Sequence, residues 1–157
     1  MRRDYFELDV EHVAWVDEGG EPEKPTVHID FRGPEEALRD RLTGPDGELL
    51  AAEGTDVAYR LQGPMEEPGA EGVVSVTNRV TGDFVLELNE DADDVLQFIR
   101  AAREYGRATG DPDGRYRVVI GIGDDHVVTY EKSTFLVYDR EGNLVRRESL
   151  IPSGVEL

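Results

Sequence analysis

The chain has 157 residues, 38% hydrophobic and 33% charged, with no cysteine. That is the length of one domain able to bury a real core, and it excludes disulfides, thiolate nucleophiles and cysteine-ligated metals. The 35 Asp and Glu against 17 Lys and Arg leave a net charge of −18, an acidic surface that repels nucleic-acid phosphates.

Phe6, Leu8 and Val10 alternate with Glu7 and Asp9, the two-residue period of a strand with one buried face. A phase slip at Glu11-His12 predicts a bulge, beyond which Val13, Trp15 and Val16 extend the strand. Residues 17–25 are acidic and rich in Gly and Pro, a loop. Val27, Ile29 and Phe31 then alternate with His28, Asp30 and Arg32 as a second strand. Gly33-Pro34-Glu35-Glu36 predicts a helix start, Leu38 and Leu42 share its inner face, and Gly44-Pro45-Asp46-Gly47 ends it. Leu49-Leu50 and the set Val57, Tyr59 and Leu61 read as two further strands.

After a loop over 62–72, Val74, Val76 and Val80 face Phe84, Leu86 and Leu88 across Thr81-Gly82-Asp83, a hairpin signal. Residues 89–94 supply caps and acids to the longest helix. Its Val95, Phe98, Ile99, Ala102 and Tyr105 recur at three and four. Past a turn at 110–114, Tyr116, Val118, Ile120 and Ile122 open a series of strands around 127–130, 135–138 and 144–150. Tyr116 also has the strand-opening position of a tyrosine corner. Antiparallel hairpins throughout predict an α+β fold. It is mostly antiparallel β in sandwich-like or meander sheets, with one long amphipathic helix and one short helix. One compact domain, 1–157, is expected; its natural subdivision is a β-rich 1–90 and a helix-plus-meander 91–157.

Only two of the cations are lysines, Lys24 and Lys132; the rest are arginine. Carboxylates spread along the chain with so little lysine suit a salt-rich solvent, where screening removes their repulsion. No apolar run is long enough to span a membrane, and the start of the chain lacks a signal-like apolar stretch. A cytoplasmic location, with no membrane and no nucleic-acid partner, is the expectation.

Three clusters carry candidate chemistry. His28 and Asp30 share a strand face, and with His12 on a neighbouring strand they would form a metal or general-base set. The polar face of an amphipathic strand already accounts for all three, so no metal and no catalytic residue is expected. Arg100, Arg103 and Arg107 share a stripe of the long helix and could grip an anion. The competing role is complementing the helix dipole, with Asp91, Asp93 and Asp94 at the other end. Lys132 is either a buried amine with a shifted pKa or a strand-end charge. Gly121-Ile122-Gly123 lacks the third glycine and following helix of a phosphate loop, and Asp111-Pro112-Asp113-Gly114 lacks the rest of a calcium loop. The apolar tail with Leu150, Ile151, Val155 and Leu157 is expected to pack on the body.

The stretches Val73-Val74-Ser75-Val76-Thr77-Asn78-Arg79-Val80-Thr81-Gly82-Asp83-Phe84 and Ser149-Leu150-Ile151-Pro152-Ser153-Gly154-Val155-Glu156-Leu157 resemble a haloarchaeal family of small uncharacterised proteins, a domain of unknown function. The resemblance implies a lineage and a cytosolic setting, with no activity, cofactor or catalytic residue to carry over. The favoured reading is a non-catalytic binding or assembly module with a protein partner or self-association. The alternative is a small enzyme or metal-binding protein using His28, Asp30 and His12.

Overall fold

Period-two apolar runs make strands only where two such faces can bury one another, and here they do so in two sheets. The computed structural model of the chain describes residues 5–64, 66–123 and 125–151. Within these the order is β1 (Phe6–Glu11), α1 (Trp15–Glu18), β2 (Thr26–Phe31), α2 (Glu35–Leu42), β3 (Thr55–Leu61), β4 (Glu71–Asn78) and β5 (Phe84–Asp91). Then follow α3 (Ala92–Thr109), β6 (Tyr116–Ile122), β7 (Asp125–Lys132) and β8 (Leu136–Tyr138). Four strands order as β1-β2-β6-β7 and four as β5-β4-β3-β8. The result is the expected mixed fold, mostly antiparallel. Two pairings are parallel, β2 with β6 and β3 with β8, because each joins segments far apart in the chain rather than the two arms of a hairpin.

The inner faces share one core. Phe31, Tyr59, Tyr116, Ile120 and Val137 are fully buried in it. The long helix adds Val95, Phe98, Ile99 and Ala102, as its spacing predicts, and Phe98 meets Tyr116 and Phe135 edge-on. Gly110 closes that helix in the left-handed conformation that glycine adopts without strain.

Local departures from the sequence expectation have local causes. The phase slip after Glu11 is a strand end, not a bulge. His12 sits at φ 66°, its carbonyl accepts the Trp15 indole N–H at 2.6 Å, and Trp15–Glu18 form a short helical turn in place of more strand. Leu49 and residues 144–150 make isolated bridges and a 3-10 turn, Arg146–Glu148, rather than strands. Tyr116 is no tyrosine corner. Its hydroxyl donates to the Thr134 carbonyl at 2.6 Å, downstream of the ring instead of upstream. Leu150 is fully buried; Val155 and Leu157 lie outside the described residues.

Candidate functional site

Two concave features stand out, one apolar and one basic. The first lies between the sheets. Leu8 and Val10 of β1, Val27 and Ile29 of β2, Val57 of β3, Val74 and Val76 of β4 and Val118 of β6 enclose a cavity of about 300 Å³ with Phe98 of α3. The strand alternation that builds the core also builds these walls, because small valines from both sheets meet there without filling the space. Among the lining side chains, the carboxyl and amide ones are Glu90, Asp94 and Gln97, at the β5–α3 junction, and the Tyr116 ring also lines the space.

Glu90 is held by its backbone. Its carbonyl accepts the hydroxyl of the buried Tyr59 at 2.9 Å, which fixes the end of β5 against β3. Burial raises the Glu90 carboxyl above the usual range, and the neighbouring Asp94 carboxylate, within hydrogen-bonding reach, raises it further. The Tyr59 phenol is pushed up by burial and then by Asp91 and Glu90. A largely apolar pocket with two carboxyls among its lining favours a ligand that brings positive charge or hydrogen-bond donors to them.

The second feature is a groove of about 650 Å³ beside the C-terminal half of α3. Of the three helix arginines, Arg103 and Arg107 line it. Arg100 points elsewhere and meets Asp17 at 2.9 Å.

The histidines are placed differently from either feature. His12 and His28 both approach Glu11 at 3.5 Å, and His12 also meets Glu23 at 2.8 Å. Asp30 instead pairs with Arg32 at 2.9 Å. These side chains line neither concave feature. Among the described residues no group of three or more His, Asp and Glu has the arrangement to hold a metal ion.

The chain matches the model of a family of unknown function, DUF5793, over residues 1–157. The protein belongs to the DUF5793 family. No curated protein and no solved structure matches it. In this DUF5793 chain no helix among the described residues is long and apolar enough to cross a membrane.

Both lysines of the DUF5793 chain are drawn inward. Lys132 is buried, and its ammonium donates to the Ala52 and Thr55 carbonyls, each at 2.7 Å. Burial lowers its pKa, and nearby Arg79 adds to that. Lys24 meets Glu131 at 2.8 Å and Asp111 at 3.2 Å. Burial works against its charge, but the two carboxylates outweigh it and raise the amine above its ordinary value. Both amines are structural ties.

Glu90, Asp94 and Gln97 were not singled out by the sequence as a site. Their signal is a spacing of four and three into the apolar stripe of α3, which places polar groups beside Val95 and Phe98 only once β5 and α3 are joined at Asp91.

Proposed function

We propose that this protein is a non-catalytic binding module that takes a small, largely apolar ligand with an ammonium or similar donor head between its sheets. The observation that carries this reading is the cavity of about 300 Å³ walled by valines, isoleucine, leucine and phenylalanine. Native cores leave few voids larger than a water molecule. Left empty, an apolar space of that size leaves its walls without the close dispersion contacts a packed interior makes. A ligand recovers those contacts. Glu90 and Asp94 set the sign of its head group: an ammonium relieves the repulsion between them, and an anion adds to it.

The test uses N-phenylnaphthylamine, an uncharged fluorescent probe, titrated into the protein in concentrated potassium chloride. Saturable enhancement at one equivalent is expected. An alkylamine should displace the probe more strongly than the alcohol of equal length, and the matching fatty acid should do so least. Val118→Phe should block uptake. No saturable binding, or strongest displacement by the fatty acid, refutes the reading.

A second reading, assembly with another chain, is favoured by exposed apolar side chains around the β4–β5 hairpin, where Val80 is 87% and Phe84 48% exposed. Sedimentation that depends on concentration and is abolished by Val80→Asp would support it. The enzyme reading has less beneath it, since His12 and His28 share Glu11 on an open face and Asp30 is taken by Arg32.

A further inference from the structure

In a chain of net charge −18, one groove gathers five of the arginines: Arg103 and Arg107 from α3, Arg115 at the start of β6, and Arg146 with Arg147 in the 3-10 turn. The carboxylate lining it is Asp111, which is already committed. Its Oδ2 accepts the Tyr105 hydroxyl at 2.6 Å and meets the Lys24 ammonium at 3.2 Å, and its Oδ1 accepts the Asp113 N–H at 2.8 Å.

The guanidiniums that lean furthest inward are held by neutral carbonyls. Arg115 donates to the Ser133 carbonyl at 3.0 Å, and Arg103 donates to the Ser149 carbonyl at 3.0 Å. Such bonds orient a guanidinium and cancel none of its charge. Arg107 pairs with Glu104 at 2.9 Å, Arg147 only reaches its own neighbour Glu148 at 3.9 Å, and Arg146 has no ion pair among the described residues. Burial lowers the Arg115 pKa, and the like charge of Arg103 lowers it further. The repulsion is therefore present and uncompensated by an acid between them.

The helix also makes room for this arrangement. Gly106 lies in the last turn of α3, where alanine is still the better helix former. A Cβ there would stand 2.4 Å from Arg115 Cδ and 2.9 Å from Cγ. The glycine lets the arginine lie across the helix and present its head to the groove.

We propose that this groove binds a compact phosphate-bearing small molecule, through bidentate contacts from Arg103, Arg115 and the Arg146–Arg147 pair. Planar guanidiniums match phosphate oxygens two at a time. The volume suits a small ligand rather than a polymer, and a nucleic-acid strand would have to continue onto the acidic surface beyond the groove. This site is separate from the cavity between the sheets and stands or falls without it.

Inorganic pyrophosphate is the probe, titrated calorimetrically into the full chain at constant ionic strength. The expected result is one saturable site, with citrate and sulfate at least tenfold weaker. Arg146→Gln and Arg147→Gln lie on the exposed side of the groove and should each weaken binding about tenfold, with unchanged melting confirming the fold. Arg147→Lys, which keeps charge but loses the fork, should restore only part of the affinity. Arg140→Gln, outside the groove, should change nothing. No saturable binding, equal loss in Arg140→Gln, equal or tighter binding of citrate, or binding of an oligonucleotide in preference to pyrophosphate would each overturn the proposal.

Discussion

Replacing valine by isoleucine adds one methylene without changing the β-branched geometry that a strand favours. Its sign therefore reads whether space exists. Val57, Val76 and Val118 face the cavity from β3, β4 and β6, and all are nearly fully buried. Each isoleucine there should gain the transfer free energy of a methylene, about 0.8 kcal/mol, with no packing strain to offset it. Val76 and Val118 sit in opposite sheets, so the pair should approach ~1.6 kcal/mol if the two act independently. For a domain of this size that raises the melting temperature by roughly 3–6 °C. Val85 and Val137 are equally buried but line no cavity, and isoleucine there should destabilise by about 1 kcal/mol or more through overpacking. Urea unfolding in fixed high salt, followed by circular dichroism, gives all five values. If the lining and non-lining variants lose stability alike, the space between the sheets is filled in solution, and the cavity argument fails with it.

Glu90→Gln should stabilise the protein at neutral pH and weaken binding of an amine competitor. The raised Glu90 pKa means the folded chain holds extra protons above 4.5, so this carboxyl's contribution falls as pH rises through that window; the variant's gain should vanish in melts below it. Lys132→Met should lower stability by about 1–3 kcal/mol by leaving buried carbonyls without their donor. Because the folded amine releases its proton more readily than the unfolded one, wild-type stability relative to the variant should climb as pH approaches 10.5; a loss of less than half a kcal/mol, beneath that range, would mean the tie is idle. Melting temperature should rise steeply from dilute buffer to molar potassium chloride as the Debye length falls from about 10 Å to about 3 Å, and a flat response would refute a surface held apart by its own charge.

The sheets were legible because nearly every strand buries one face only, so period two survives in the sequence: Val57, Tyr59 and Leu61 inward, Asp56 and Arg60 outward. Parallel pairing was not legible. Whether β6 lies beside β2 depends on a register such as Ile29 with Ile120, between segments that no local pattern connects. The Trp15 turn was missed because an apolar run looks the same in a strand and in a helical turn until the indole finds the His12 carbonyl. The cavity was invisible for a different reason. A valine that packs tightly and a valine that leaves room are the same letter. The groove was half legible: the helix spacing pointed to Arg103 and Arg107, but Arg115, Arg146 and Arg147 join them only through the fold. Gly106 was its overlooked signal, a glycine in the last turn of an otherwise strong helix. The scarcity of lysine was a legible signal of a different kind, and it pointed to Lys132 as a buried amine. In a chain that uses arginine for its surface cations, the two lysines are the ones taken inside.

One helix serves both concave features, and this bears on how an anion would reach the groove. Asp93 and Asp94 in the first turn of α3 and Arg107 in its last turn each complement the macrodipole. That stabilising role and a ligand-binding role are compatible, because the charges that suit the helix also colour the openings beside its two ends. The surroundings treat the two ends unequally. A field of net −18 draws cations toward the cavity mouth and repels anions approaching the groove, so pyrophosphate would be held by contact with the guanidiniums and hindered by the rest of the surface. Ordinary basic sites bind anions more slowly as salt rises, since steering is screened. Here salt screens a barrier. The association rate of pyrophosphate, followed by stopped-flow, should therefore increase between about 0.1 and 1 M potassium chloride, over which the Debye length shrinks about threefold, while the dissociation rate also increases as the contacts themselves weaken. A rate of association that falls with salt would mean the groove dominates the field at a distance, and that the acidic surface lies too far from it to matter.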